Sequence, residues 1–494
     1  MSSAAVEAPE SVFALAERAF AGWIVAPLER VIFFDLAFWD DAAGNAIVVP
    51  AVVAWLIAGA LFFTLRFRFV NLSGFRHGID CVRGRYSEAD ETGEVSHFQA
   101  LAAALSATVG LGNIAGVAFA LGIGGPGATF WMIVGGLLGM TSKFAECSLA
   151  QRYRRTDLSG HVIGGPMLYL RDGLAEIGQA GLGRVLSILF AVMCVGASFG
   201  GGNMFQANQS FQLLAQEVPA LAEGSGQIAV GLALVFLVGL VIIGGIRRIG
   251  EVASILVPGM CLLYMVSGVL ILVLNAGAVP AAFATIVREA FSFEAGLGGF
   301  IGTLIQGFRR AAFSNEAGVG SAAIAHSAAR TQEPIREGYV ALLEPFIDTV
   351  VVCTTTALVI IVTGALDDPN AGSGIALTAS AFASVFPAFP KVLTGIALLF
   401  AFSTMISWSY YGERAWIFLF GERSILAYQI VFLAFTFGGV IFQDAKVVLD
   451  FGDLMLLGMA FPNILGVVLL SNVLARELAR YRTRLAAGEF NPKR

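Results

Sequence analysis

Apolar runs long enough to cross a bilayer recur along the whole chain, and two of them are interrupted by short polar, glycine-rich stretches. A helical crossing needs roughly 20 predominantly apolar residues, and by that measure the pattern predicts about eleven membrane-spanning segments. They run near 47–66, 97–122, 127–150, 185–211, 227–246, 252–275, 297–330, 340–364, 389–412, 424–443 and 450–473. Several exceed the minimum, which implies tilt or internal breaks. The run from Ala376 to Phe386 is apolar but too short to cross, and is expected as a surface helix on the outer side. The interruptions are Val109-Gly110-Leu111-Gly112-Asn113 and Phe313-Ser314-Asn315-Glu316-Ala317-Gly318-Val319-Gly320. At membrane depth an unpaired backbone group is costly, so a broken helix survives only where protein, ion or ligand satisfies it.

Composition agrees with this pattern. Hydrophobic residues make up 57% of the chain and charged ones 13%, against about 25% charged in an average soluble domain. Mean hydropathy is +0.80. A single large soluble core is excluded, and the net charge of -5 points to no nucleic-acid partner. Cys81, Cys147, Cys194, Cys261 and Cys353 show no C-x-x-C pairing, so buried or reduced thiols are expected rather than disulfides or a metal site. Residues 1–35 lack a basic n-region and carry Glu7, Glu10 and Glu17, which argues against a cleaved signal peptide. Phe13, Phe20, Trp23, Ile24 and Leu28, interleaved with charges, suggest an amphipathic helix at the membrane interface.

Charge placement orients the segments. With connections assigned alternately to the two sides, most basic residues fall on one, including Arg66, Arg83, Arg152, Arg247, Arg336, Arg414 and the tail from Arg476 to Arg494. Arg18, Arg30, Arg288, Lys391 and Lys446 remain opposite. The positive-inside rule then puts the N-terminus outside and the C-terminus in the cytoplasm. The chain divides into an external amphipathic segment (1–46), a first span with a basic cytoplasmic loop (47–96), a five-segment half (97–275), an external linker (276–296), a second such half (297–473) and a cytoplasmic tail (474–494). Five is odd, so the halves enter the membrane in opposite directions, and each opens on a broken segment. Inverted halves with matching Gly-interrupted segments are the pattern of a secondary transporter whose site lies at the breaks.

At such a break, free N–H groups suit a carboxylate and free carbonyls suit a small hard cation such as Na⁺. Gly110 and Gly112 allow close approach, and Asn113 can offer an oxygen or brace the backbone. The alternative is that the glycines only permit tight helix packing. Asn203, Gln206, Asn208 and Gln209 place amides on the fourth segment, and Gln206 could meet an ammonium or a carboxylate. Ser403 and Thr404, followed by Trp408, can complete an oxygen shell, or instead bond back to the preceding turn. Glu146 and Glu316 are ionisable groups at membrane depth and so functional candidates. Glu146 is expected to accept from N–H groups freed at a break. Glu316 could do the same, line the cytosolic path, or pair with Arg309 or Arg310, whose position suggests a water-filled outer vestibule. Lys143 is expected near the cytoplasmic surface with its head snorkelling outward. Gly196-Ala197-Ser198-Phe199-Gly200 matches a hydrolase elbow without the strand–turn–helix setting. Gly110-Leu111-Gly112 with Gly116 lacks the spacing and preceding strand of a dinucleotide fingerprint. No organic cofactor and no enzymatic activity are expected, and the histidines show no metal-ligand spacing.

The chain resembles the alanine or glycine:cation symporter family (sodium:alanine symporters) of the amino acid-polyamine-organocation superfamily. The resemblance rests on 112–118, Gly124-Gly125-Pro126-Gly127, Gly164-Gly165-Pro166-Met167, 202–206, Phe313 to Ser321, and Trp408-Ser409-Tyr410-Tyr411-Gly412-Glu413, in order over roughly 60–475. It implies an all-α integral membrane protein with a leucine-transporter-like fold, an inverted five-plus-five repeat preceded by one additional helix. It further implies cotransport of alanine or glycine with Na⁺, by a monomer in a prokaryotic plasma membrane. Carried onto these positions, Gly110, Leu111, Gly112, Gln206, Phe313, Ser314, Asn315, Gly318 and Trp408 would form the substrate shell. The first break is also similar to that of the neurotransmitter sodium symporters. By that similarity the carbonyls of Ser106 and Val109 with Ser403 and Thr404 would hold one Na⁺, and Asn113 with the Thr108 carbonyl a second. The family commonly has Thr at Leu111 and Gly at Ser407. Both changes add bulk, so larger substrate side chains are expected to be excluded. A same-fold carrier using H⁺ or another small zwitterion is the alternative reading, and an ion channel, which needs an open multi-site path, the different-class one.

Overall fold

The computed structural model describes residues 12–37, 48–87, 91–156, 162–243, 245–292, 296–442 and 444–490. Among them regular structure is helical, apart from a two-stranded antiparallel ribbon of Arg155–Thr156 against Val162–Ile163. Seven helices are long and apolar enough to cross a membrane, or eight when the bent pair His97–Thr108 and Gly112–Gly124 counts as one. The chain is a multi-pass membrane protein. Three more expected crossings, Ala51–Arg66, Ala128–Arg152 and Gly296–Asn315, also form helices. The first has only 16 residues. The other two pack against each other and carry polar and charged side chains. A helix surrounded by protein has no need of a lipid-compatible surface on every side.

Local chemistry sets the elements. Ser96 and Gln99 form a reciprocal capping box that starts the helix at His97, and Pro334 opens the Pro334–Val362 helix. Around the centre, the helix Phe389–Phe420 packs on Ala180–Phe199, Phe205–Glu217, Gly245–Leu274 and His97–Thr108. Of three π-helical stretches there, Gly112–Gly116 packs on Phe346–Cys353, and Gly200–Met204 packs on the helices Phe389–Phe420 and Ala445–Gly458. Each adds a residue to a turn and loosens the i→i−4 ladder, a feature often found at functional sites.

Two expectations change here. The apolar run at Ala376–Phe386 forms a helix, Ile375–Ala383, but most of its side chains are buried. Thr378 Oγ1 donates to the carbonyl of Ile114 at 3.2 Å, so the helix covers the first break instead of lying on the surface. A carbonyl loosened by the π-turn needs a donor, and this helix supplies one. Lys143 does not snorkel. It is fully buried, with Nζ 3.2 Å from Glu344 Oε1, because an internal carboxylate offers the ammonium what water would. The N-terminal segment forms the helices Val12–Phe20 and Ala26–Ile32. Phe20 packs edge-on against Phe435, Phe442 and Phe451, whereas Trp23 stays exposed. Residues 1–11 and 38–46 of that segment lie outside the described residues.

Candidate functional site

Helix His97–Thr108 ends at Val109, whose ψ of 87° leaves the helical region, and the chain resumes after a bend of 53°. The break is braced from within and without. Gly110 N–H donates to Asn113 Oδ1 at 2.9 Å, and Leu111 N–H donates to Gln206 Oε1 at 3.1 Å. Gln206 is anchored in turn through Nε2 to the Gly201 carbonyl at 3.0 Å. Of the four amides on that segment, Gln206 alone bonds to the first break. Asn203 bonds the Phe432 carbonyl and Thr436, Asn208 bonds the carbonyls of Gly439 and Phe442, and Gln209 bonds Asn208.

The second break is built differently. Glu316, Gly318 and Gly320 have φ of 55°, 88° and 93°, so the helix Gly296–Asn315 ends in a run of left-handed backbone before Ala322–His326. A non-glycine residue held there is strained and needs fixing from outside. Glu316 Oε1 accepts from Trp408 Nε1 at 3.0 Å, and Oε2 accepts from Ser321 Oγ. Glu316 thus ties the break to Trp408 and does not pair with Arg309 or Arg310. Asn315 bonds Thr349 Oγ1 at 2.8 Å and accepts from Ala317 N–H at 2.9 Å. The Phe313 ring lies 3.5 Å from where a Cβ on Gly112 would stand and 3.6 Å from that of Gly201. Gly110, Leu111, Gly112, Gln206 and Phe313 are thereby gathered round one buried point, and Trp408, packed against Gly202, is tied to the second break through Glu316. Ser314 faces Asn113, while Gly318 faces Leu56 and the Asn463 amide on the far side. Leu111 is fully buried, and the buried Ser407 Oγ has no hydrogen-bond partner among the described residues.

Two oxygen clusters flank this point. In the first, Thr404 Oγ1 donates to the Ser106 carbonyl at 3.1 Å, and Ser106 Oγ donates to the Ser403 carbonyl at 2.9 Å. Ser403 Oγ bonds back to Phe400 at 3.1 Å, as is usual for a helical hydroxyl. Thr108 Oγ1 likewise bonds back, to Ala104 at 3.2 Å. The second cluster gathers around Asp348 in the π-stretch. Asp348 Oδ1 accepts from Asn113 Nδ2 at 2.5 Å, and Oδ2 from Ser314 Oγ and Thr349 Oγ1, each at 2.8 Å. All four residues are at most 2% exposed. Every donor to Asp348 is neutral, and it forms no ion pair among the described residues. Asp348 is absent from the residues singled out on sequence, although an aspartate one turn after Glu344 inside the segment 340–364 was the signal for it.

Glu146 Oε1 accepts from Asn463 Nδ2 at 2.8 Å, and the same amide donates to the Gly318 carbonyl at 2.9 Å, so Glu146 supports the second break through Asn463. Arg309 and Arg310 both pair with Asp453. The Arg310 guanidinium lies 5.2 Å over the Phe313 ring, and a cavity of about 500 Å³ bordered by Arg309, Arg310, Gln306 and Asp450 opens beside it. Asp453→Asn would leave the buried Arg310 without its counter-charge and is expected to destabilise the fold by about 3–5 kcal/mol, read as a lower unfolding temperature in detergent.

Broken helices that meet in the interior of a multi-pass membrane protein are the pattern of a transporter's site, and the fold is shared with a solved structure. The crystal structure of MhsT in complex with L-phenylalanine matches with a TM-score of 0.50 at 14% identity, covering 77% of this chain and 99% of that one. The sodium:alanine symporter family profile matches residues 36–493. The sodium/alanine symporter AgcS of Methanococcus maripaludis is 40% identical over 431 residues, 87% of this chain and 93% of the relative. The amino-acid carrier protein AlsT of Bacillus subtilis is 34% identical over 441 residues, 87% and 90%. The chain belongs to the sodium:alanine symporter family and is a cation-coupled amino-acid transporter.

Proposed function

We propose that this protein imports alanine or glycine together with Na⁺ across a prokaryotic plasma membrane, by alternating access around the two breaks. The observation that carries the reading is Asp348, a buried carboxylate supplied only with neutral donors and set between both breaks. A carboxylate so placed calls for a cation, and the cotransported Na⁺ meets that need beside Asn113 and Ser314. Ser106, Val109, Ser403 and Thr404 supply the oxygen set for a second ion. The substrate carboxylate is read by the first-break N–H groups once Gln206 yields Leu111 N–H. Leu111, Phe313 and Trp408 wall the side-chain position, which favours a hydrogen or methyl there. In this reading the chain crosses about eleven times, counting interior helices as spans. Its two five-helix halves are inverted, and the basic tail is cytoplasmic.

Uptake of labelled alanine and glycine into proteoliposomes, with Na⁺ replaced by K⁺ or choline, tests the reading. Uptake should require Na⁺. Saturable uptake without Na⁺ and without a pH gradient would refute coupling, and uptake restored by a pH gradient alone would make the proton the driving ion. Gln206→Ala and Asn315→Ala should abolish alanine binding at normal expression, the first through the first break and the second through the brace to Thr349.

A further inference from the structure

A chain of ionisable side chains outside the substrate and ion clusters joins the two broken helices. His97, at the start of the first, has Nδ1 on Glu337 Oε2. His326, at the end of the second, has Nδ1 at 2.5 Å from Glu337 Oε1. Glu344, two turns further along the helix that carries Glu337, meets Lys143 Nζ at 3.2 Å. These five side chains are at most 3% exposed and come from four different stretches of helix. The chain has one gap. His326 Nε2 and Glu344 Oε2 stand 3.8 Å apart, and neither atom has a hydrogen-bond partner among the described residues.

We propose that His326 and Glu344 form a proton-binding site, filled while the cytosolic path is closed and emptied to the cytosol as it opens. The inference rests on the transporter reading for which side is cytosolic. With a proton on Nε2, the imidazolium donates to Glu337 on one side and Glu344 on the other, and a small shift satisfies both orphan atoms. The charges then alternate along Glu337, His326, Glu344 and Lys143. Without that proton, a bare nitrogen lone pair faces a carboxylate in a water-excluded site, the arrangement a buried polar network tolerates least. Histidine is the side chain whose charge changes most readily near neutral pH.

The site also lies where opening must act. The His326 carbonyl accepts from Gln151 Nε2 at 2.5 Å, and the Ala328 carbonyl accepts from the N–H groups of Glu94 at 2.8 Å and Val95 at 3.2 Å. The loop entering the first broken helix is thus tied to the loop leaving the second, and the end of the second is tied to the helix Ala128–Arg152. Separating them admits water to His326 and lets its proton leave. The other titratable or charged groups facing the cluster are Glu316 at the break, Glu146, Cys147 and Arg154 from the Ala128–Arg152 side, Tyr411 from Phe389–Phe420, Cys81 from Phe75–Val82, and Asp348 one turn beyond Glu344. None of them fills the gap. His77, on the helix Phe75–Val82, is pushed down to about 4 by burial and stays neutral over the range that matters. His161 lies outside the described residues.

Hydrogen exchange on the purified full chain, without Na⁺ or amino acid, tests the site independently of transport. After correction for intrinsic exchange, protection of peptides covering 91–98 and 322–331 should fall as pH rises from about 6 to 8.5, by up to about tenfold per pH unit for one linked proton. His326→Gln should be flat over that range. Should that variant not fold, Glu344→Gln must flatten the slope instead. A wild-type protein without the slope, or a folded His326→Gln variant that keeps it, overturns the proposal. Because neither cation nor substrate is present, the slope is read even where vesicle uptake refutes Na⁺ symport.

Discussion

Asp348→Asn is expected to abolish Na⁺-driven uptake while leaving the protein folded. The two halves of that expectation have opposite physical origins. In the ion-bound state the carboxylate is the counter-charge to a desolvated cation, and breaking such a pair loses about 3–5 kcal/mol, on the order of a hundredfold or more in ion affinity. In the ion-free state the same carboxylate is a buried charge held only by neutral Asn113, Ser314 and Thr349, so an isosteric amide relieves desolvation there. The unfolding temperature without Na⁺ should be unchanged or higher in the variant, and the stabilisation that Na⁺ gives the wild type should vanish. A variant that keeps its Na⁺-dependent shift would remove Asp348 from the ion site.

Gly110→Ala is expected to stop transport through a different cause. A Cβ at Gly110 would stand 2.5 Å from Thr404 Oγ1 and 3.2 Å from Gln206 Oε1. Those atoms belong to an oxygen cluster and to the brace on the break, and neither can retreat, because Thr404 Oγ1 is held by the Ser106 carbonyl and Gln206 by Gly201. Overpacking of a tight site disrupts by about 1–3 kcal/mol, here spent on displacing site groups. The double variant Gly110→Ala with Thr404→Ala removes the worst clash. It should recover expression and thermal stability but not Na⁺-dependent uptake. Recovery of uptake as well would show that the Thr404 hydroxyl has no part in ion binding.

How much of the site was legible in the chain differs from residue to residue. The first break could be read because two glycines and an asparagine inside an apolar run weaken a membrane helix at one point, and the second because Glu316, Gly318 and Gly320 follow each other closely. Gln206 was one of four amides on one segment. Sequence spacing could not say that it alone turns to Leu111 N–H while Asn203 and Asn208 satisfy carbonyls elsewhere. Lys143 illustrates the reverse case. A lysine in a span reads as a snorkeller because its long stem allows that, and only the approach of Glu344 from another helix makes burial tolerable. Asp348 carried a visible signal, an acid within a span, but its meaning lies in the neutrality of its neighbours, which come from other stretches of the fold or from its own turn.

Hydropathy and glycine placement along the chain determined that this is a helical membrane protein interrupted at two points, because each depends on local transfer energies and backbone freedom that residue identity sets by itself. The family membership was legible for the same reason, in motifs contiguous along the chain. Tertiary structure alone decided which polar groups share a partner. It placed Asp348 between the breaks, closed Ile375–Ala383 over the Ile114 carbonyl, and left His326 and Glu344 facing each other across 3.8 Å. In a water-excluded interior the standing of a polar group depends on what lies within hydrogen-bond reach, and at these positions that neighbour comes from a distant part of the chain.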